Sequence, residues 1–289
     1  MIHLYFLEKE KIVPIARCHP YYPKDLQKKP LCFYAKGNVR LLQTDKFVVV
    51  GSRNTSTFVS LLTKSVAKDL SNVFTVLTGV AEGGDLSAVE GALNGSKKVI
   101  CLLPSGFSAV PKQNLSILER AEKDGLLLTC RPYETTVYPY FYEERNECLA
   151  DLSKGGLIVS AGEKSGALIT AKYLFKTGKP VFAFPYEIGS KYGTGCNKLI
   201  QSGAYLTETA NDVLTKLGMA PTADVKKPSS YSATEQAVLS ALQTESELGI
   251  EQLTLLPSLP TPTLIGVLTS LEMKEAILRV GGNKYKLTP

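Results

Sequence analysis

Histidine is nearly missing from this chain: His3 and His19 are the only two in 289 residues. A zinc centre or a Ser-His or Cys-His triad draws on imidazole, so these chemistries lack their parts. The six cysteines, Cys18, Cys32, Cys101, Cys130, Cys148 and Cys196, are scattered without a C-x-x-C pair. Several sit in apolar runs, where a free thiol packs as a small hydrophobe, and a reducing, cytoplasmic location is expected. No stretch approaches the roughly 18 apolar residues of a membrane span. The apolar opening at residues 1–7 runs at once into Glu8, Lys9, Glu10 and Lys11, so neither a secretory leader nor a membrane partner is expected. A G-x-G-x-x-G after a strand, a P-loop and a G-x-S-x-G elbow are all absent, which leaves dinucleotide, ATP and serine-hydrolase readings without support. No cofactor, metal or catalytic residue is expected.

What is present reads as an α/β chain. Hydrophobic residues make up 44% and charged residues 21%, ordinary for a globular protein. The length exceeds one small core, so a main domain and an accessory one are expected. Lys and Arg outnumber Asp and Glu by 33 to 27, a net +6 that mildly favours anionic partners. From residue 46, short β-branched runs alternate with longer amphipathic ones, the pattern of βαβ units on a parallel sheet. Strands are predicted at 46–50, 74–77, 99–103, 126–129, 157–159 and 181–184. Helices are predicted at 86–93, 114–123, 145–152, 167–176, 194–201 and 210–217, and the spacing of Leu61, Leu62, Val66 and Leu70 adds one after the first strand. The expected fold is an extended Rossmann-like, doubly wound parallel sheet over 1–225, with 1–45 as a lead-in and a linker at about 220–231. Over 226–289, helices at 233–242, 250–256 and 262–271 and a hairpin at 276–280 and 284–287 suggest a small winged-helix domain. Its third helix carries Thr261, Thr263, Thr269, Ser270 and Glu272 but little positive charge, which points to protein contacts rather than duplex reading.

Ligands of doubly wound sheets bind beyond the carboxyl ends of the strands, so the turns there are where chemistry is sought. The first, Gly51-Ser52-Arg53-Asn54-Thr55-Ser56, sets flexible backbone, hydroxyls and a guanidinium before a helix start, as an anion site requires. A tight turn with a solvent-facing arginine is the alternative, and this loop alone leaves both open. In the second turn Asp85 is expected to cap the following helix, and Glu82, Asp85 and Glu90 lack the nucleophile or metal that an acid-base set would serve. The third turn joins Gly106, Phe107 and Lys112, with Phe107 either stacked on a base or packed in the core. Tyr133, Tyr138, Tyr140, Phe141 and Tyr142 lead into Arg145 and Asn146, interleaving aromatic faces with a basic group as single-strand grooves do. The fourth turn, through Lys164, Ser165 and Gly166, precedes a helix with Thr170 in its first turn and again suits an anion.

Taken in order, these segments resemble the DNA-processing protein A (DprA/Smf) family. The resemblance rests on Val50-Gly51-Ser52-Arg53, Thr78-Gly79-Val80-Ala81-Glu82-Gly83-Gly84-Asp85, Arg145-Asn146, Lys164-Ser165-Gly166-Ala167 and Gly195-Cys196-Asn197-Lys198, among others. It implies an extended Rossmann domain that binds single-stranded DNA without catalysis, forms a homodimer and loads RecA recombinase during natural transformation. Carried over by position, Arg53 and Lys97 would contact backbone phosphates, Gly106 and Phe107 would form a loop beside a base, and Arg145 would line a basic pocket. Three acids depart from the family pattern: Glu82 and Glu147, where it has basic residues, and Glu90, where it has histidine. An acid near the phosphate path costs about 1 kcal/mol per close contact, so a less positive groove is expected. Two other readings stand beside this one. A nucleotide phosphoribohydrolase on a related scaffold would need a catalytic loop for which Pro185-Tyr186-Glu187 and Gly193-Thr194-Gly195 are poor substitutes; a divergent member serving as a protein-interaction platform would explain the three acids.

Overall fold

The computed structural model describes residues 7–24, 26, 30–221, 231–256, 261–274 and 276–288. The chain divides into two compact units, Met1–Thr222 and Ala223–Pro289, and most of the linker expected at 220–231 lies outside the described residues.

The first unit is built on β3 (Lys46–Gly51), buried throughout. Its side chains alternate between two cores: Phe47 and Val49 face one, Val48 and Val50 the other. A strand covered on both faces lies inside a sheet, and period two sends successive residues to opposite sides. The nine-stranded sheet runs in the order β1-β2-β6-β5-β4-β3-β7-β8-β9. The parallel members are β3, β4 (Thr75–Thr78), β5 (Val99–Leu103), β6 (Leu126–Thr129), β7 (Gly156–Ser160), β8 (Val181–Ala183) and β9 (Tyr205–Leu206). Two strands that periodicity does not reveal, β1 (Val13–Ala16) and β2 (Cys32–Gly37), extend the sheet antiparallel beyond β6. The sheet is therefore mixed and mostly parallel, and the lead-in at 1–45 belongs to it.

Helices α1 (Thr57–Leu70), α2 (Gly84–Asn94) and α3 (Leu115–Asp124) cover the Phe47 face, through Val66, Ala88 and Leu118 among others. Helices α4 (Pro139–Leu152), α5 (Ala167–Lys176) and α6 (Thr194–Gln201) cover the Val48 face, through Leu149, Leu174 and Cys196. Helix α7 (Ala210–Lys216) returns to the first face. Helix α4 starts six residues before the predicted position because Pro139 opens it with a preset φ and extended Tyr138 precedes it. The aromatic segment 140–142 is thereby helical.

Strand order reverses at β3, whose neighbours are β4 and β7. The β3–β7 register shifts between Val50 and Gly51, after which Gly51 pairs with Ser160. Ser52 N–H donates to the Ser160 backbone oxygen and to Ser160 Oγ, each at 2.9 Å, and joins the two carboxyl ends past the shift. This is the topological switch point at which such sheets form crevices.

The second unit has α8 (Ala233–Thr244), α9 (Ile250–Leu253), α10 (Thr261–Met273) and a sheet ordered β10-β12-β11, from Leu248–Gly249, Lys284–Leu287 and Ile277–Val280. Val238, Leu242, Leu264, Leu268 and Tyr285 share its core. Glu235 closes a capping box with Ser232 and accepts from Ser270 Oγ at 2.7 Å and Lys274 Nζ at 2.7 Å, pinning α8 to the end of α10. The Lys274 bond comes first among the causes that hold its carboxyl down at about 2.

Buried Lys46 sits at the amino edge of the main sheet, its Nζ donating to Leu42 O at 3.0 Å and Thr44 O at 2.6 Å. Burial lowers its amine from 10.5 to about 8. Between these two values the unfolded chain holds a proton that the folded chain has released, so stability gains from rising pH. Lys46→Met removes that gain: the stability of the variant minus that of the native chain is expected to fall by on the order of 1–3 kcal/mol from pH 7.5 to 10.5. Urea unfolding at several pH values measures it, and a pH-independent difference would contradict the assignment.

Candidate functional site

A cavity of about 640 Å3 opens at the switch point, between the loops that follow β3 and β7. Gly51, Ser52, Arg53, Arg145, Asn146, Lys164, Ser165 and Gly166 all line it. Three segments far apart in the chain thus bring eight expected site residues together. Lys191 and Tyr192 join them from the loop after β8. No motif marked that loop; its place after a parallel strand was the available signal.

The cavity's floor is a buried polar assembly. Asp85 is almost wholly buried, accepting from Gly51 N at 2.9 Å and Ala81 N at 3.2 Å. Helix α2 begins earlier, at Gly84, and its N-cap is Gly83 rather than Asp85. The capping expectation is therefore corrected: the carboxylate ties the β3 and β4 loops to each other. Burial pushes its carboxyl upward, while the Arg145 charge and the backbone donors pull it down. Arg145, buried to 8% exposure, donates through Nη1 to Gly79 O and, at 3.2 Å, to Leu102 O. Its Nε has no hydrogen-bond partner, and neither has Thr170 Oγ1, which is buried on the cavity wall. A buried hydroxyl without a partner at the N-terminus of α5 offers a donor to a bound anion.

The rim is cationic. Arg53, Lys164 and Lys191 are exposed and form no ion pair among the described residues. The Tyr142 ring lies near two guanidiniums, 5.8 Å from that of Arg53 and 6.0 Å from that of Arg145, which sets a π face beside the positive rim. Asn146 Nδ2 donates to Gly166 O at 3.1 Å and ties α4 to the β7 loop. The backbone N–H groups of Gly51 and Ser52 are already occupied, by Asp85 and Ser160. Their loop contributes the Arg53 side chain rather than a nest of amides.

Three expected residues lie elsewhere. Lys97 precedes β5 at the amino edge of the parallel sheet, opposite the cavity, and pairs with Asp124 at 3.2 Å. Gly106 is buried, donating to Thr135 O at 2.9 Å, and Phe107 packs against the core with Lys36 Nζ 5.6 Å from its ring. The core alternative for Phe107 holds in this conformation. The three unusual acids also avoid the cavity. Glu90 pairs with Lys64, Glu82 accepts from Gln113, and Glu147 lines a separate cavity on the other side of Arg145. Asp85 is the one acid on this cavity's wall among the described residues, while Glu82 lines a neighbouring cavity that Arg53, Tyr142 and Arg145 also line, so one of the three acids stays beside the cationic rim.

Two glycines make the floor possible. Gly83 adopts φ +77°, and a Cβ there would lie 2.4 Å from Arg53 O. A Cβ on Gly79 would overlap the Arg145 guanidinium and come within 2.8 Å of Asp85 Oδ2. Gly79→Ala is expected to displace Arg145 and cost about 1–3 kcal/mol. Gly166→Ala, where a Cβ meets nothing within 4 Å, should stay within about 0.5 kcal/mol. Equal denaturation midpoints for the two variants would refute this account.

Residues 12–218 match the family model described as DNA recombination-mediator protein A. The DNA processing protein DprA of Bacillus subtilis is 29% identical over 209 residues, 71% of this chain and 70% of that protein. The crystal structure of DNA processing protein A from Streptococcus pneumoniae superposes with a TM-score of 0.68 at 30% identity, over 73% of this chain and 77% of that one. The Helicobacter pylori protein, whose structure addresses its single-stranded DNA binding mode, gives a TM-score of 0.65 at 25% identity, over 72% and 95%. With the Rossmann-like sheet and the switch-point cavity both inside the matched span, this chain is a member of the DNA recombination-mediator protein A family.

Proposed function

We propose that the protein binds single-stranded DNA through the switch-point cavity, without catalysis. The observation that carries this reading is the grouping of exposed Arg53, Lys164 and Lys191 around a polar floor whose one acid, Asp85, is held by backbone donors and faces Arg145. The cations suit backbone phosphates and Tyr142 suits a base face. The single-strand binding described for the Helicobacter pylori relative supports the same ligand.

A hydrolase would need a carboxylate directed at the ligand. Asp85 is buried and bonded, and Glu187 is exposed and absent from the cavity wall, which favours binding over turnover. The finer reading is a homodimer that passes the strand to RecA recombinase, with residues 226–289 as a winged-helix module for protein contacts. The exposed face of α10 supports that last element: Thr263, Ile265, Gly266, Thr269 and Met273 carry no charge.

Fluorescence anisotropy with single- and double-stranded oligonucleotides at two or more salt concentrations tests the site. Arg53→Ala, Lys164→Ala and Lys191→Ala should each weaken single-strand binding and lower the salt slope by roughly 0.7. Lys97→Ala should change neither. Unchanged slopes in all three cavity variants, or a larger loss in Lys97→Ala, would place the DNA elsewhere on the molecule.

A further inference from the structure

The amino edge of the main sheet holds a cavity of about 500 Å3 that the binding role does not use. Lys24, Asp45, Lys46, Asp151, Lys154 and Lys179 line it. Lys46 is the first residue of β3 and Gly51 the last, so the length of that strand, about 17 Å, stands between this cavity and the switch point. Two of its lysines are held in the same way. Lys46 Nζ donates to Leu42 O and Thr44 O, where the short helical turn Val39–Gln43 ends. Lys179 Nζ donates to Ala150 O at 2.7 Å and Asp151 O at 2.8 Å, where α4 ends. An ammonium carries three N–H groups, so each lysine keeps one donor beyond the carbonyls that orient it. Closing the ends of a turn and a helix accounts for two donors of each amine. It does not account for the open volume beside them or for the two further lysines on its wall.

The charge of the wall points the same way. Four lysines stand against two aspartates there, and Asp45 is paired with Lys154 at 3.7 Å. Lys46 is only 7% exposed and Lys179 is half-buried. Burial draws the Lys46 amine down to about 8 and lowers that of Lys179, while Asp45 favours the charge on the first and Asp151 that on the second; Lys154 opposes both. A bound anion would restore the charge that burial disfavours. We propose that this cavity is a second anion site, which takes the diphosphate group of a small molecule such as a nucleoside diphosphate, with the spare donors of Lys46 and Lys179 on its oxygens. Two donors on separate elements suit two phosphoryl groups, and an excess of two lysines suits a group that carries two or more negative charges. Lysine serves phosphate as a point charge, and the volume is one that small ligands occupy.

The site stands apart from the DNA reading, and its test silences the switch-point cavity first. ADP is titrated calorimetrically, without divalent metal, into the full chain carrying Arg53→Ala, Lys164→Ala and Lys191→Ala. One ADP per chain is expected, and adenosine should not bind. Adding Lys46→Met or Lys179→Met should weaken ADP by roughly tenfold or more, and Lys154→Ala, at an exposed position, by about twofold to fivefold. With the amino-edge lysines intact, affinity should fall by roughly tenfold or more from about pH 8 to 10, where the charge of the diphosphate is constant and Lys46 loses its proton. ADP binding that vanishes in the triple variant, a flat pH profile, or equal affinity with and without Lys46→Met and Lys179→Met overturns the proposal. Equal losses of ADP and single-strand affinity in Lys46→Met would assign the cavity to the strand's own phosphates and overturn the small-molecule assignment. The pH profile and Lys154→Ala decide the question even if a buried-lysine variant fails to fold.

Discussion

The two oxygens of Asp85 hold two loops at once, accepting from Gly51 on one side and Ala81 on the other, while Arg145 approaches from a third element. A buried carboxylate is costly unless donors surround it, and a buried guanidinium is costly unless carbonyls and a counter-charge do. Each group meets the other's requirement. Arg145 is therefore held to the Gly79 and Leu102 carbonyls, and the wall of the cavity is set by charges that solvent does not reach. Gly79 is where this arrangement touches backbone, and the absence of a side chain there lets the two charges approach.

A division of labour among the basic residues follows. Arg145 is buried and engaged, so its contribution to an anion is a fixed field rather than a mobile contact; its charge still acts across a region where water screens little. Arg53, Lys164 and Lys191 reach solvent from three loops that share the carboxyl edge of the sheet. Fold and site are thus one construction: the reversal of strand order creates the crevice, and residues after β3, β4, β7 and β8 line it.

Much of the fold was legible in the sequence because the central elements obey simple periods. β5 at 99–103, α5 at 167–176 and α6 at 194–201 fall on the predicted residues, since apolar alternation or helical spacing there meets no competing signal. The antiparallel edge was not legible. Strands β1 and β2 are short and half-exposed, so their pattern is broken by residues that face water. The start of α4 was missed because its aromatics read as a loop until Pro139 is recognised as an opening residue.

Residue types and their order along the chain determined that the turns after β3 and β7 are polar, glycine-rich and basic, and that histidine occurs only twice. Those are local properties, and periodicity carries them. Only the tertiary structure decided which charges meet. It joined Asp85 to Gly51 across 34 positions, set Arg145 against Gly79 across 66, and added Lys191 to the rim. It also sent Lys97 to the far edge, paired Glu90 with Lys64, and set Glu82 in a neighbouring cavity that Arg53 lines as well. Charge acts through space, and distance along the chain carries no information about that separation until strand order and helix placement are fixed.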